Sequence, residues 1–115
     1  MGDDDGVALP GRWPIMRVDV SGSSMEPTLA DGDWLLCRIL GSGRTVKPGD
    51  IVVVRRPDRP ELLLVKRAVR REDASWWVEG DNPGASDDSR LFGLVPDDHV
   101  LAKAVARYLP RPRRL

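Results

Sequence analysis

The sequence predicts a small, mostly β domain with little helix, and three features predict it. Its longest apolar runs are short: "WLLC", "IVVV" and "LLLV" have four residues each. Turn residues punctuate them at close intervals, as Asp31-Gly32, Pro48-Gly49-Asp50 and the "RPDRP" of residues 56–60. The runs themselves are rich in Val, Ile and Leu, the composition of strands joined by tight turns. A chain of 115 residues fits one domain with a modest core.

In chain order, "RVDV" (Arg17–Val20) alternates as a half-buried strand does. "MEPTLA" (Met25–Ala30) is the one stretch that suggests a helical turn. The Asp-Gly turn then leads into "DWLLCRIL" (Asp33–Leu40), and Pro-Gly-Asp leads into "IVVVRR" (Ile51–Arg56). "ELLLVKRAVRR" (Glu61–Arg71) has helical propensity, but the breakers on either side and its Val and Leu content make it a strand. "SWWVEG" (Ser75–Gly80) completes a hairpin with it, and "HVLAKAVARYL" (His99–Leu109) is the last strand. Three aspartates near the start mark residues 1–15 as an acidic, flexible tail, and Pro/Arg alternation marks residues 110–115 as a basic one. The domain proper spans 16–109.

Composition excludes several functions. Eighteen basic residues cancel eighteen acidic ones, so net charge argues for no nucleic-acid partner. Cys37 and His99 are the only residues of their types, which leaves no disulfide, no Cys/His metal site and no expected cofactor. The acidic loop after Gly80 does not follow the spacing of a calcium loop. No stretch approaches the roughly 20 apolar residues of a membrane span. The expected compartment is therefore the cytoplasm, with a peripheral position at a membrane as the alternative.

Three stretches carry candidate chemistry. "VSGSSMEPTL" (Val20–Leu29) places Ser23 and Ser24 at a bend, where they either merely turn the chain or present a nucleophile. Lys66 follows "LLLV" and, on a strand, shares a face with Leu62, Leu64 and Ala68. It is one of three lysines among eighteen basic residues. Arginine does not deprotonate in proteins, whereas a lysine that loses its water can act as a base. The plain alternative is a packed stem with the ammonium in water. "GDNPGASDDSRLFGLVP" (Gly80–Pro96) is a long polar loop able to orient such a lysine.

In this order, "SGSSMEPTL", "LLVKRAV" and "GDNPGASDDSRLFGLVP" resemble the bacterial type I signal peptidases, a family of Ser-Lys dyad proteases. The resemblance covers about residues 18–106. It implies two antiparallel β-sheets with an exposed catalytic groove, a fold shared with the protease domain of SOS-type repressors. It implies Ser24 as nucleophile and Lys66 as general base. It further implies Ser86 as the lysine's hydrogen-bond partner, Asp88 and Arg90 as an ion pair, and Asp81 as part of a Gly-Asp-Asn turn. Met25 and Pro27 are expected to anchor the bend. Some family members add a serine hydroxyl as oxyanion donor two positions before the nucleophile; Gly22 stands there, so the Ser23 side chain or a backbone N–H has to serve. Substrate is expected as an extended peptide beside Val18, Val20 and Leu64. Within the family, "DWLLCR" and "WWVEGDN" resemble the maturation protease of nickel-type superoxide dismutase, which implies that dismutase's precursor as the protein substrate. The alternative is a signal peptidase acting on exported proteins. A self-cleaving repressor fragment and a non-enzymatic β binding module are more distant readings.

Overall fold

The computed structural model describes residues 14–41, 45–109 and 112–115. It is built from β1 (Ile15–Asp19), β2 (Trp34–Ile39), β3 (Ile51–Arg56), β4 (Arg59–Glu72), β5 (Ser75–Glu79), β6 (Val95–Pro96), β7 (Val100–Leu109) and β8 (Arg113–Arg114). The described residues also include one short helix, α1 (Ser89–Phe92), and 3₁₀ turns at Pro83–Ala85 and Asp97–His99. Every strand pairing is antiparallel, in the order β1-β2-β7-β3-β4-β5-β6, with β8 added to β7. The mostly antiparallel β class is as the sequence predicts. Hydrogen bonding runs unbroken through β3 and β7, so the strands form one continuous eight-stranded sheet. Residues 1–13 of the acidic stretch lie outside the described residues, while Arg113 and Arg114 of the basic one pair with Arg107 and Ala106.

Two apolar cores lie on opposite faces of β3. Ile51 and Val53 point into one, with Leu35 and Cys37 of β2, Ala102 and Ala104 of β7, and Val20, Met25 and Leu29. Val52 and Val54 point into the other, with Ala68, Trp76, Val78, Val95 and Val100. This is why β3 reads as an unbroken apolar run: neither face meets water. Val100 and Ala102 have the same parity yet enter different cores. The register between β3 and β7 slips between Val53 and Val54, so the extra residue, Leu101, reverses the facing.

Trp76 is 1% exposed and is the largest side chain in the second core. Trp76→Ala is expected to lower stability by about 3–5 kcal/mol, the usual cost of emptying such a site. A urea titration followed by far-UV circular dichroism measures it. Burial pushes the Cys37 thiol up to about 11, so iodoacetamide should alkylate it slowly in the folded protein and readily in denaturant.

Candidate active site

The serine bend is held at both ends and from below. Val20 donates its N–H to the Asp33 carbonyl (2.8 Å), and Gly22, at φ +88°, donates to Asp31 Oδ1 (2.7 Å). Leu29 N–H reaches the Met25 carbonyl (2.9 Å), closing one helical turn. Side chains four apart on such a turn share a face, and Met25 and Leu29 are both buried in the first core. The anchors are therefore Met25 and Leu29. Pro27 is exposed, which corrects its expected role.

The Gly80–Asn82 corner grips the bend from the side. Asn82 donates its N–H to the Ser24 carbonyl (2.8 Å) and its Nδ2 to the Ser23 carbonyl (3.0 Å). Asp81 accepts Thr28 Oγ1 (2.6 Å) and both Nε (3.2 Å) and Nη2 (2.6 Å) of Arg67. Burial would raise the Asp81 carboxyl, but Arg67 and Thr28 outweigh it and hold it below the ordinary value. Gly80 passes so close that an added Cβ would lie 2.2 Å from Ser86 Oγ and 2.6 Å from the Ser24 carbonyl.

Lys66 stands on β4 with only 3% of its surface exposed. Its amine donates to Ser86 Oγ (3.1 Å), and the Ser86 hydroxyl donates to Asp88 Oδ2 (2.8 Å). Asp88, fully buried, also accepts the Gly80 N–H (2.8 Å), the Arg90 N–H (3.1 Å) and the Arg90 guanidinium (3.0 and 2.5 Å). Burial pushes the Asp88 carboxyl up, but Arg90, Gly80 and Ser86 more than reverse this and hold it well below the carboxylate range. Burial pushes the Lys66 amine below the ordinary lysine value; Asp88 and Asp87 pull it back up, while Arg90 and Arg56 push it down.

Ser24 and Lys66 line one groove of about 310 Å³, together with Val18, Val20, Leu64 and Val65. No hydrogen bond joins the Ser24 hydroxyl to Lys66; the amine's bond goes to Ser86. Catalytic contacts are often open in unliganded proteins. Behind Thr28, a second hollow of about 320 Å³ is lined by Arg67, Lys103 and Arg113, but it includes neither residue of the pair. Gly22 and Ser23 act through the backbone, Gly22 toward Asp31 and Ser23 toward Asn82. Sequence reasoning left out Gly80, Asn82, Arg67, Thr28 and Ser89, whose hydroxyl accepts the Val78 N–H (2.8 Å). All but Thr28 and Arg67 fall inside "GDNPGASDDSR", or begin it, so the signal was their place in a stretch already singled out.

Comparison with known proteins places the chain among peptidases: it belongs to the Peptidase S24-like family, whose model matches residues 11–93. Mitochondrial inner membrane protease subunit 1 of Xenopus tropicalis is 32% identical over an alignment covering 78% of this chain and 66% of that one. Mitochondrial ATP-independent inner membrane protease subunit 1a of Arabidopsis thaliana is 36% identical, covering 86% and 73%. Mitochondrial inner membrane protease subunit 2 of Schizosaccharomyces pombe is 31% identical, covering 82% and 64%. The chain thus spans about two thirds of the length of these relatives.

These relatives overturn the expectation of a cytoplasmic protein, since all three are named for an inner membrane and point toward membrane association. That expectation rested on the lack of an apolar span. Among the described residues no helix is long and apolar enough to cross a membrane, and this does not fix a compartment. The relatives favour the signal-peptidase-like alternative over the dismutase precursor.

Two measurements test this framework. Gly80→Ala must displace Ser86 or the Ser24 carbonyl and is expected to cost about 1–3 kcal/mol in urea unfolding. The Asp88 carboxyl titrates lower folded than unfolded, so its contribution to stability is present above the unfolded value of about 3.9 and is lost as pH falls through the folded one. Asp88→Asn should therefore be less stable at neutral pH and should lose less stability than the parent between about pH 5 and 2.

Proposed function

We propose that the protein is a serine endopeptidase of the signal-peptidase kind, with Ser24 as nucleophile and Lys66 as general base, that removes N-terminal segments from precursor proteins at a membrane. The observation that carries this reading is a buried lysine and a bend serine lining one groove between two strand edges.

The two edges suit an extended substrate. Ile39 N–H bonds the Pro14 carbonyl (2.9 Å) and Val20 N–H the Asp33 carbonyl (2.8 Å), so the even residues of β1 pair with β2. Antiparallel pairing alternates, and the backbone groups of Arg17 and Asp19 therefore point away from β2 along the free edge. On β4, Ala68 N–H bonds the Asp50 carbonyl (2.8 Å), which turns Lys66 and Leu64 toward β3 and the backbone groups of Leu63 and Val65 away from it. β5 pairs with β4 only from Arg67 onward, leaving that edge unpaired among the described residues. A peptide between the edges gains main-chain hydrogen bonds from both sides, and Val18 and Val20 form its apolar floor.

The chemistry follows from the amine's burial. Neutral Lys66 takes the Ser24 hydroxyl proton as Oγ attacks the scissile carbonyl. The Ser24 N–H, which has no partner among the described residues, is free to meet the developing oxyanion. The Gly22 N–H is committed to Asp31, so the second donor is the Ser23 hydroxyl or another backbone amide. Lys66, now an ammonium, returns the proton to the leaving amine. It then takes a proton from the water that attacks the acyl carbon and passes it to Ser24 Oγ as the ester bond breaks, which restores the neutral amine and the free hydroxyl. Ser86 fixes the amine's direction.

"DWLLCR" and "WWVEGDN", which suggested the dismutase precursor, are largely scaffold: Leu35, Cys37, Trp76 and Val78 are core residues. The dismutase precursor is accordingly the competing substrate. The test mixes the protein with an exported precursor and with nickel-dismutase precursor, alongside Ser24→Ala and Lys66→Met. Cleavage of the exported precursor, reduced by at least about a thousandfold in both variants, is expected. Cleavage of the dismutase precursor alone would reverse the substrate assignment, and activity surviving in either variant would end the dyad reading. Because the base must be neutral, kcat/KM should rise with pH and level off below the ordinary lysine value of about 10.4.

A further inference from the structure

The far leg of the serine bend, Thr28–Ala30, is gripped by the last strands of the chain. Asp33, just before β2 and only 4% exposed, holds both legs of the bend. Its carbonyl takes the Val20 N–H (2.8 Å), and its Oδ2 accepts the Ala30 N–H (2.9 Å). A buried carboxylate needs a charge to answer it, and Nη1 of Arg107, on β7, lies 3.5 Å from the same Oδ2. Directly across from Arg107 stands Arg113 of β8. Like charges opposite one another on antiparallel strands repel, and residues so paired share a face of the sheet. Here both reach the bend, because Arg113 Nη2 donates to the Thr28 carbonyl (3.2 Å). The last carbonyls of a helical turn lack partners within it, and an arginine at that end is a common donor to them. Thr28 is therefore held twice, by its hydroxyl on Asp81 and by its carbonyl on Arg113.

We propose that Arg107 and Arg113 are positioning residues for the nucleophile: as one cross-strand clamp they fix the far leg of the serine bend, and with it the direction of the Ser24 hydroxyl. The proposal rests on the reading of Ser24 as nucleophile. Ser24 and Thr28 stand about one helical turn apart, so a rotation of the turn at Thr28 swings Ser24 as well. Met25 and Leu29 set how deep the turn sits, but apolar burial is non-directional and leaves its rotation open. Directional hydrogen bonds at Thr28 and Ala30 close that freedom. Ser24 has to meet Lys66 in order to react, and a misplacement of roughly 1 Å costs up to about a hundredfold in rate. The clamp also accounts for two arginines standing face to face, since each guanidinium has an acceptor on the bend or on the residue that holds it.

Arg113 is exposed and its truncation strands no buried charge, so Arg113→Ala carries the test. It is compared with Arg113→Lys, which keeps a long cationic donor, with Arg107→Gln, with the Arg107→Gln/Arg113→Ala double variant, and with Arg114→Ala, which removes the neighbouring charge on β8. Each is assayed where urea unfolding shows it fully folded. The readouts are kcat and KM on whichever precursor the parent cleaves, and the rate at which a small activated reagent acylates Ser24, which needs no precursor. Arg113→Ala and Arg107→Gln should each lower kcat and Ser24 acylation about tenfold. KM and the midpoint of the pH–rate profile should stay at the parent's values, since neither groove nor amine is touched. Arg113→Lys should recover most of the rate, and Arg114→Ala should match the parent. The double variant should lose less than the product of the single losses, as residues of one clamp do. Should Arg107→Gln fold poorly, the Arg113 series decides alone. A full acylation rate in Arg113→Ala, an equal loss in Arg114→Ala, or a loss confined to KM overturns the proposal and leaves the dyad intact. A parent whose Ser24 acylates no faster than Ser21 or Ser23 overturns the nucleophile reading, and the clamp with it.

Discussion

Keeping one amine out of water is the constraint on which the rest of this molecule depends. A charged ammonium without a matching partner is costly to bury, so a lysine in such a position shifts toward its neutral form. Lys66 meets a hydroxyl, not a carboxylate: Ser86 stands between it and Asp88, and the negative charge of Asp88 is already answered by Arg90. One buried carboxylate thereby does three things. It points the Ser86 hydroxyl, it ties down the Gly80 amide, and it caps α1 through the Arg90 N–H.

The scaffold is arranged to bring three separate stretches to this point. The bend is fixed in one core by Met25 and Leu29, whereas Leu64 and Ala68, either side of Lys66 on its face of β4, belong to the other. β3 divides the two cores and carries neither residue of the pair. The corner Gly80–Asn82 bridges them, with Asn82 on the bend's carbonyls and Gly80 against both Ser86 and Ser24. A side chain at position 80 would wedge the bend away from the loop, which is the physical need for glycine there. Asp81 adds a second tie, through Thr28 to the far end of the bend and through Arg67 to the residue after the lysine.

Much of this was legible in the sequence because the informative signals are local. Turn residues and β-branched runs marked each main strand to within a few residues, and the alternation along β4 put Lys66 on the face of Leu64 and Ala68. Contacts that close over long separations were not legible. Nothing around Thr28 announces that its hydroxyl meets Asp81, and Pro27 looked like an anchor because proline usually marks a turn, whereas burial selected Met25 and Leu29 instead. β8 was read as a tail because two arginines pairing through their backbones leave no apolar signature. Substrate and compartment were the weakest readings for a related reason. The segments that suggested a dismutase precursor lie mostly on the core strands β2 and β5 and end in the Gly80–Asn82 corner, so they record how the sheet packs and how the bend is held, not what enters the groove.

The central claim, that the amine of Lys66 activates the hydroxyl of Ser24, can be tested without knowing the substrate. The intact protein is treated with a small activated acylating reagent across a range of pH, and the adduct is located by peptide mass mapping. The account predicts one rapid adduct, on Ser24, whose rate rises with pH as Lys66 loses its proton and collapses in Lys66→Met. A Ser24 that reacts no faster than Ser21 or Ser23, or that reacts equally well in Lys66→Met, would contradict it.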